Sequence, residues 1–218
     1  MSLQVWLPLN GNLNNLGISD LQFTLRDAYT TVGGPSKVYP HTYSNSNKTY
    51  GGIHSLSKLN ITKEVSMFAW IKVAAFHTSP MGIGGMHTII KSGQTYPTAT
   101  GMGFQCVSVG SNWHIAVSTG NNIDNRTWKE YYGQTKLLKD TWYHVGFTYD
   151  GIRIRIYVNG KLDGNFIYTN QYNVPDYVHL FGWSQDASNT MPNLYSSDYK
   201  FNGLISDFRV YDECLPVA

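Results

Sequence analysis

Apolar and polar residues alternate along most of this chain, and that period of two is the strongest constraint on its fold. The clearest example is Val65–Val73, in which every second residue from Val65 lies on one apolar face while Phe68 and Trp70 lie on the other. A strand with two apolar faces is buried on both sides. We therefore predict a central strand of a β-sandwich here, in a chain without long helices.

Two tight turns are predicted within Thr141–Gly164. Asp150-Gly151 and Asn159-Gly160 each separate two alternating runs, and such pairs supply the positive φ that a short hairpin turn requires. We expect two successive hairpins. In the middle strand, one face is expected to lie against the core, and it carries Ile152, Ile154, Ile156 and Val158. Further strands are predicted at Leu3–Leu9, Thr88–Lys91, Gly103–Val109, His114–Ser118, Val178–Trp183 and Gly203–Tyr211.

Long polar stretches separate several of these strands and are interpreted as loops. The glycine clusters Gly33-Gly34, Gly51-Gly52 and Gly82–Gly85 lack the Lys and the following helix of a phosphate-binding loop, so we interpret them as turns. No internal repeat or low-complexity linker divides the chain, which we treat as one domain over residues 1–218. The predicted loops are Ser79–Gly85, Gly120–Gly133 and Ser184–Tyr199.

The charge of the chain argues against a nucleic-acid partner. Lys and Arg total 16 against 14 Asp and Glu, giving a formal charge of +2, and the basic residues are scattered singly. No apolar run approaches the length of about 18 residues that a membrane span needs, and the N-terminal residues do not resemble a signal peptide. We expect the chain to be synthesised in the cytoplasm and not to insert into a membrane.

The two cysteines, Cys106 and Cys214, match neither a metal-binding spacing nor a dense disulfide framework. Because the chain begins with Met and carries no leader, we expect both thiols to be reduced. A single long-range bridge is the alternative.

Five segments in order resemble the laminin G-like, concanavalin A-like lectin/glucanase superfamily over nearly the whole chain. The resemblance implies an all-β, two-sheet antiparallel jelly roll. Its first and last strands pair with each other, which fixes both termini and covers a strand edge that would otherwise be exposed. The opening and closing segments also resemble domains of phage and prophage particles. The five segments are LPLNGNLNNLG (7–17), SMFAWIKV (66–73), HTIIKSG (87–93), WYHVGFTYDGIRIRIYVNGKLDG (142–164) and FNGLISDFRVYDECL (201–215).

Some members of this superfamily are glycoside hydrolases that carry paired carboxylates at alternating positions of one strand. Only Glu64, Glu130 and Glu213 are glutamates here, and none has a carboxylate neighbour of that kind. The seven histidines are spread singly, and His144 falls in a structural strand of the family, where a core hydrogen bond is expected. We expect no enzymatic activity.

Related families often hold one structural Ca²⁺, which takes about six to eight oxygen ligands. The resemblance implies Asp207, Asn10 and Asn12 as ligands, with Asp20 or Asp212 as further donors. The alternative is that Asp207 caps a turn or pairs with Arg209.

Sugar binding requires flat aromatic faces beside amide and carboxylate groups, and two predicted loops contain that mixture. Packing over the ends of the sandwich or against a partner chain is the alternative for these side chains. The predicted ligand-binding residues are Trp128, Tyr131, Tyr132, Asn121 and Asp124 in the first loop, and Trp183, Asp186, Asn189 and Tyr195 in or beside the second.

The sequence therefore suggests a non-catalytic carbohydrate-binding or adhesion module that recognises cell-surface or extracellular glycan through these loops. A structural component of an assembly, such as a phage decoration or fibre protein that contacts other protein subunits, is the alternative. Either would end in a virion or an extracellular particle, and the two functions are compatible in one domain.

Overall fold

A computed structural model of the chain describes residues 2–9, 13–25, 30–35, 41–44, 53–55, 59, 61, 63–76, 80–87, 101–120, 128–169, 177–180 and 201–216. Within these ranges the regular structure consists of fifteen strands. The strands are β1 Leu3–Leu7, β2 Thr24–Leu25, β3 Thr30–Gly33, β4 His41–Ser44, β5 Ile53–Ser55, β6 Val65–Val73, β7 Met81–His87, β8 Gly101–Val109, β9 Asn112–Gly120, β10 Trp128–Tyr132, β11 Trp142–Tyr149, β12 Arg153–Val158, β13 Lys161–Ile167, β14 Tyr177–Leu180 and β15 Gly203–Tyr211.

The strands form two antiparallel sheets, which confirms the predicted all-β sandwich. Sheet A has the order β13-β12-β11-β6-β15-β4-β3, with β1 also paired to β15. Sheet B has the order β10-β9-β8-β7-β14-β5-β2. Strands β13 and β10 are thus the edge strands at one side of the two sheets.

The alternating segments of the sequence form the centre of sheet A. Strand β6 covers the predicted range, and its residues Val65, Met67, Ala69, Ile71 and Val73 are all buried. It pairs with β11 on one side and β15 on the other. The predicted pairing of the chain ends is also confirmed, since Leu7 of β1 lies opposite Phe208 of β15.

Both predicted hairpin turns are present. Asn159 and Gly160 adopt positive φ angles of 50° and 76° between β12 and β13, and Gly151 has a φ of 89° between β11 and β12. Asp150 stabilises the turn between β11 and β12, because its Oδ1 accepts the backbone N–H groups of Ile152 and Arg153 at 2.9 and 2.7 Å.

The inner faces of the sheets form one hydrophobic core. Phe104 of β8 and Phe147 of β11 meet across it edge to face, with ring centroids 5.5 Å apart. Because large side chains of both sheets interdigitate here, the core fixes how the two edge strands face each other.

Two loop predictions were wrong. Gly82–Gly85 belong to β7, which pairs with β8 and β14, and Ser79–Gly85 is therefore not a loop throughout. Gly120–Gly133 likewise includes β10. Glycine in a strand marks close approach of neighbouring groups: a Cβ on Gly103, opposite Gly85, would lie 2.5 Å from the Ser118 hydroxyl.

Other predictions are covered only partly by the described residues. Thr88–Lys91 and Ser184–Tyr199 lie outside them, and Val178–Trp183 is described only as far as Leu180, in β14. Both cysteines are free thiols, as expected, with Cys106 buried in the core and Cys214 partly exposed.

Candidate functional site

A cleft of about 790 Å³ opens between the edge strands β10 and β13, where the two sheets are not joined. Its walls come from both sheets and from the segment that follows β10. A cleft of this size matches the range of small-molecule sites. The described residues that line it are Val109, Asn112, His114, Lys129, Glu130, Tyr131, Tyr132, Gly133, Gln134, Asp163, Gly164, Asn165 and Phe166.

Strand β10 places its two tyrosines on opposite faces of sheet B. Tyr131 lies opposite Val117 and is only 7% exposed, with its ring 5.3 Å from that of Phe166 and 6.1 Å from that of Tyr168. Tyr132 lies on the outer face and is 46% exposed. Tyr131 is thus a core residue that forms the cleft wall, whereas Tyr132 presents its ring to solvent.

The outer face of sheet B also carries buried polar side chains beside the cleft. His114 is buried, and its ring lies 6.1 Å from that of Tyr132. In the part of the chain that the structure describes, His114 Nδ1 has no hydrogen-bond partner. Native proteins pair most buried polar atoms, so such an atom beside a cleft indicates a group that a ligand or water can satisfy.

Glu130 lies on the same face, and a hydrogen bond from a strand further inside sheet B fixes its position. Gln105 of β8 donates from Nε2 to Glu130 Oε1 at 2.8 Å, reaching across β9, where Ala116 and Ser118 are small enough to let it pass. Partial desolvation raises the pKa of the Glu130 carboxyl above its ordinary value, and the hydrogen bond from Gln105 opposes that rise.

Asp163 of β13 anchors the opposite wall. Its Oδ1 accepts the backbone N–H of Thr135 at 3.0 Å and the hydroxyl of Thr135 at 2.6 Å. Gly133 packs so closely that a Cβ there would lie 1.9 Å from Asp163 Oδ2. The segment after β10 is therefore clamped onto β13, which fixes the shape of the cleft.

The cleft carries mixed charge. Lys129 Nζ lies 5.1 Å from the centre of the Tyr131 ring, a cation–π distance. Of the lining residues that the structure describes, Lys129 is cationic, and Glu130 and Asp163 are acidic.

The structure brings only part of the predicted ligand set to this cleft. Tyr131 and Tyr132 line it, and the backbone of Trp128 begins β10 opposite Gly120. The predicted residues Asn121, Asp124, Trp183, Asp186, Asn189 and Tyr195 lie outside the described residues.

Four contributors to the cleft were not predicted from the sequence. Gln105 and His114 were assigned only to predicted strands, Glu130 was considered only as a missing catalytic partner, and Asp163 only as part of a family hairpin. Period-two alternation places His114 on the same side of its strand as Ser118 and opposite the apolar Ile115 and Val117, which is a usable signal. Gln105 alternates with Gly103 and Val107 and therefore gives no such signal. Asp163 has no such signal, because its role depends on a contact with Thr135.

Asp207, the predicted calcium ligand, lies at a bulge of β15 with a φ of 51°. Its Oδ1 accepts the Trp6 indole N–H at 2.7 Å, and its Oδ2 lies 3.0 Å from Arg209. Both carboxylate oxygens of Asp207 thus have partners in Trp6 and Arg209, and the pairing with Arg209 is the alternative interpretation of this residue. Asn10 and Asn12 lie outside the described residues, and within those residues no three His, Cys, Asp or Glu side chains cluster as metal ligands do. The calcium site stays a prediction.

His144 lies on the outer face of sheet A, where its ring stacks on Phe68 at 5.8 Å and contacts Trp70 at 5.1 Å. Burial lowers the pKa of its imidazole, the Asp207 charge opposes that effect, and the Arg209 charge adds to it. The backbone N–H of His144 donates to Asn159 Oδ1 at 2.9 Å, which ties the ring's strand to the following turn.

In the portion of the chain covered by the structure, no helix has the length and apolar character of a membrane span.

Comparison with known proteins identifies the family. The laminin G family model described as "Concanavalin A-like lectin/glucanases superfamily" matches residues 45–218. No curated protein sequence matches significantly.

Several solved structures share the fold at low sequence identity. Domain 4 of AbnA, an extracellular arabinanase from Geobacillus stearothermophilus solved in complex with arabinotriose, is 16% identical at a TM-score of 0.68, with 99% of this chain and 94% of that domain covered. A structure of botulinum neurotoxin type C, whose cell entry depends on two ganglioside molecules, is 15% identical with a TM-score of 0.65, covering 99% of this chain but 49% of that one. A pentraxin from Limulus polyphemus is 17% identical with a TM-score of 0.58, covering 80% and 75%.

Proposed function

This chain belongs to the concanavalin A-like lectin/glucanases superfamily, and we propose that it is a non-catalytic glycan-binding module whose ligand occupies the cleft between β10 and β13. The single observation that carries this proposal is the position of Tyr132. Its ring is 46% exposed beside a cleft with amide and carboxylate groups on its walls. An exposed aromatic face next to such groups suits a pyranose or furanose, whose C–H side stacks while its hydroxyls form hydrogen bonds.

Similarity to other proteins supports this proposal. Domain 4 of AbnA was solved with arabinotriose, and botulinum neurotoxin type C interacts with gangliosides. Both have the same fold as this chain at low identity, so they support the class of ligand and not a particular sugar.

The cleft is better suited to binding than to hydrolysis. Retaining hydrolysis uses two carboxyl groups about 5 Å apart, one of which is a free nucleophile. Asp163 lines the cleft, but Thr135 donates two hydrogen bonds to its carboxylate. An aspartate held in this way shapes a wall and is not poised for attack.

A second candidate function is a structural role in an assembly such as a phage particle. The edge strand β13 favours it, because its Leu162 and Ile167 are 56% and 61% exposed. Exposed apolar side chains on an edge strand are a surface for another chain. A domain of a particle that binds host glycan would combine both functions.

A glycan array tests the proposal, run with calcium and again with chelator. We expect the wild-type chain to give saturable signals that a soluble competitor removes, and Tyr132→Ala to lower them at least tenfold. Leu138→Ala is the matched control, since Leu138 is exposed but does not line the cleft. Signals unchanged in Tyr132→Ala contradict this site, and a blank array in both conditions contradicts glycan binding and favours the assembly role. Loss of signal with chelator alone supports a calcium ion at the site.

A further inference from the structure

Gln105 and Glu130 form a fixed pair of hydrogen-bonding groups beside Tyr132. Gln105 is 1% exposed, and its Nε2 donates to Glu130 Oε1 at 2.8 Å. The donor end of the amide therefore faces the carboxylate, and a flipped amide would place two acceptors together. Among the described residues no donor reaches Gln105 Oε1. The pair thus has acceptor atoms left over on both side chains, beside the second N–H of the Gln105 amide.

The positive charge in the cleft belongs to the other face of β10. Lys129 precedes Glu130, so its side chain leaves the strand on the opposite side, where its ammonium lies over the Tyr131 ring. A ligand that stacks on Tyr132 meets the acceptors of Glu130 on its own side of the strand. A sugar hydroxyl can donate to these acceptors, whereas a carboxylate or sulfate group offers only further acceptors and a like charge.

From this geometry we infer that the cleft selects uncharged glycans over carboxylated or sulfated ones, with Glu130 as the residue that determines the selectivity and Gln105 as the residue that positions it. This inference rests on the proposed function and adds the class of glycan. The free-energy cost of this arrangement to the fold supports the inference. A buried amide with an unused acceptor and a partly desolvated carboxylate both destabilise a fold, and such groups are typical of binding sites.

The test uses an array of matched pairs, each a neutral glycan printed beside its sialylated, sulfated or uronic-acid form. For the wild-type chain we expect the neutral member of a bound pair to give at least a tenfold stronger signal. Glu130→Gln keeps the size of the side chain and removes its charge, so we expect the ratio to fall to within about threefold of one.

Two further variants separate selectivity from stability. Glu130→Asp keeps the charge on a shorter side chain, and we expect it to keep the preference for neutral glycans with weaker binding overall. Gln105→Leu removes the hydrogen bond to Glu130, and we expect it to lower the neutral-to-anionic ratio while Gln105→Asn partly restores it. Melting temperatures measured in parallel confirm that each variant is folded.

The failures of the two proposals are distinguishable. Binding that depends on Tyr132 but treats both members of each pair alike overturns the inference and leaves glycan binding intact. A ratio that does not change in Glu130→Gln also overturns it. A blank array overturns both, since the selectivity then has no site.

Discussion

Adjacent tyrosines on β10 provide a direct test of how the edge of sheet B is built. Tyr131 is 7% exposed and packs on Phe166 and Tyr168, whereas Tyr132 is 46% exposed. Truncation of each to alanine removes the same atoms from neighbouring positions of one strand. The two variants therefore differ only in which face of the sheet loses a ring.

The expected magnitudes follow from the buried area. An aromatic side chain buries roughly 150–250 Å², which at about 25 cal/mol per Å² corresponds to roughly 4–6 kcal/mol. Compactness of the unfolded chain reduces this figure, so we expect Tyr131→Ala to lower the free energy of unfolding by about 3–4 kcal/mol, as is typical for large-to-alanine changes. Tyr132, which is 46% exposed, buries about half as much area and should contribute about 2 kcal/mol by the same reasoning.

Urea denaturation followed by tryptophan fluorescence measures both values, and calorimetry gives the melting temperatures. At about 2–4 °C per kcal/mol for a domain of this size, Tyr131→Ala should melt about 10 °C below wild type and Tyr132→Ala about 6 °C below. Equal losses for the two variants, or a larger loss for Tyr132→Ala, would refute the assignment of their faces. The same outcome would remove the basis for treating Tyr132 as the ligand platform.

Further predictions concern the clamp, the thiols and two titrating groups. Gly133→Ala, whose Cβ would lie 1.9 Å from Asp163 Oδ2, should lower the free energy of unfolding by about 1–3 kcal/mol through overpacking; urea denaturation that leaves it as stable as wild type contradicts the clamp. A thiol reagent should label Cys214 in the native chain and Cys106 only after unfolding, because Cys106 is buried and burial raises its pKa; fast labelling of both thiols is the contrary result. Desolvation raises the pKa of Glu130 in the folded chain, so the contribution of this side chain to stability is greatest at low pH and is lost as the pH rises through the raised pKa. The free energy of unfolding of Glu130→Gln should therefore match that of wild type at pH 4 and exceed it at pH 7. A variant that is less stable than wild type at pH 7 counts against this reasoning. Burial lowers the pKa of His144, so the contribution of this side chain to stability is present above the pKa of an exposed histidine and is lost as the pH falls through the lowered pKa. The melting temperature of His144→Phe should therefore fall less than that of wild type between pH 7.5 and pH 5. Parallel curves of melting temperature against pH would contradict this role of His144.

Much of the fold could be predicted from local patterns. The ranges of β6 and β15 and both hairpin turns follow from alternation and from the dipeptides Asp150-Gly151 and Asn159-Gly160. These features need only information from residues close in sequence. Gly82–Gly85 could not be assigned in this way, because glycine favours turns in isolation and the flanking strands β8 and β14 decide its conformation here.

The cleft was less predictable, because it forms between strands that are distant in sequence. Glu130 and Asp163 lie on different sheets, and only the packing of those sheets brings both to one cavity. The sequence analysis predicted both Tyr131 and Tyr132 as ligand contacts and did not distinguish the buried ring from the exposed one. That separation required the register of β10 on β9, which places Tyr131 opposite the core residue Val117.

The most direct test of the central claim is to map a bound glycan onto the backbone by NMR, using the strongest glycan from the array. We predict that the amide signals of residues 129–134 and 163–166 shift on titration, since these segments form the two walls of the cleft. Shifts confined to β1, β6 and β15, on the face of sheet A that carries Trp6 and Arg209, would contradict the claim and move the site to the other side of the sandwich.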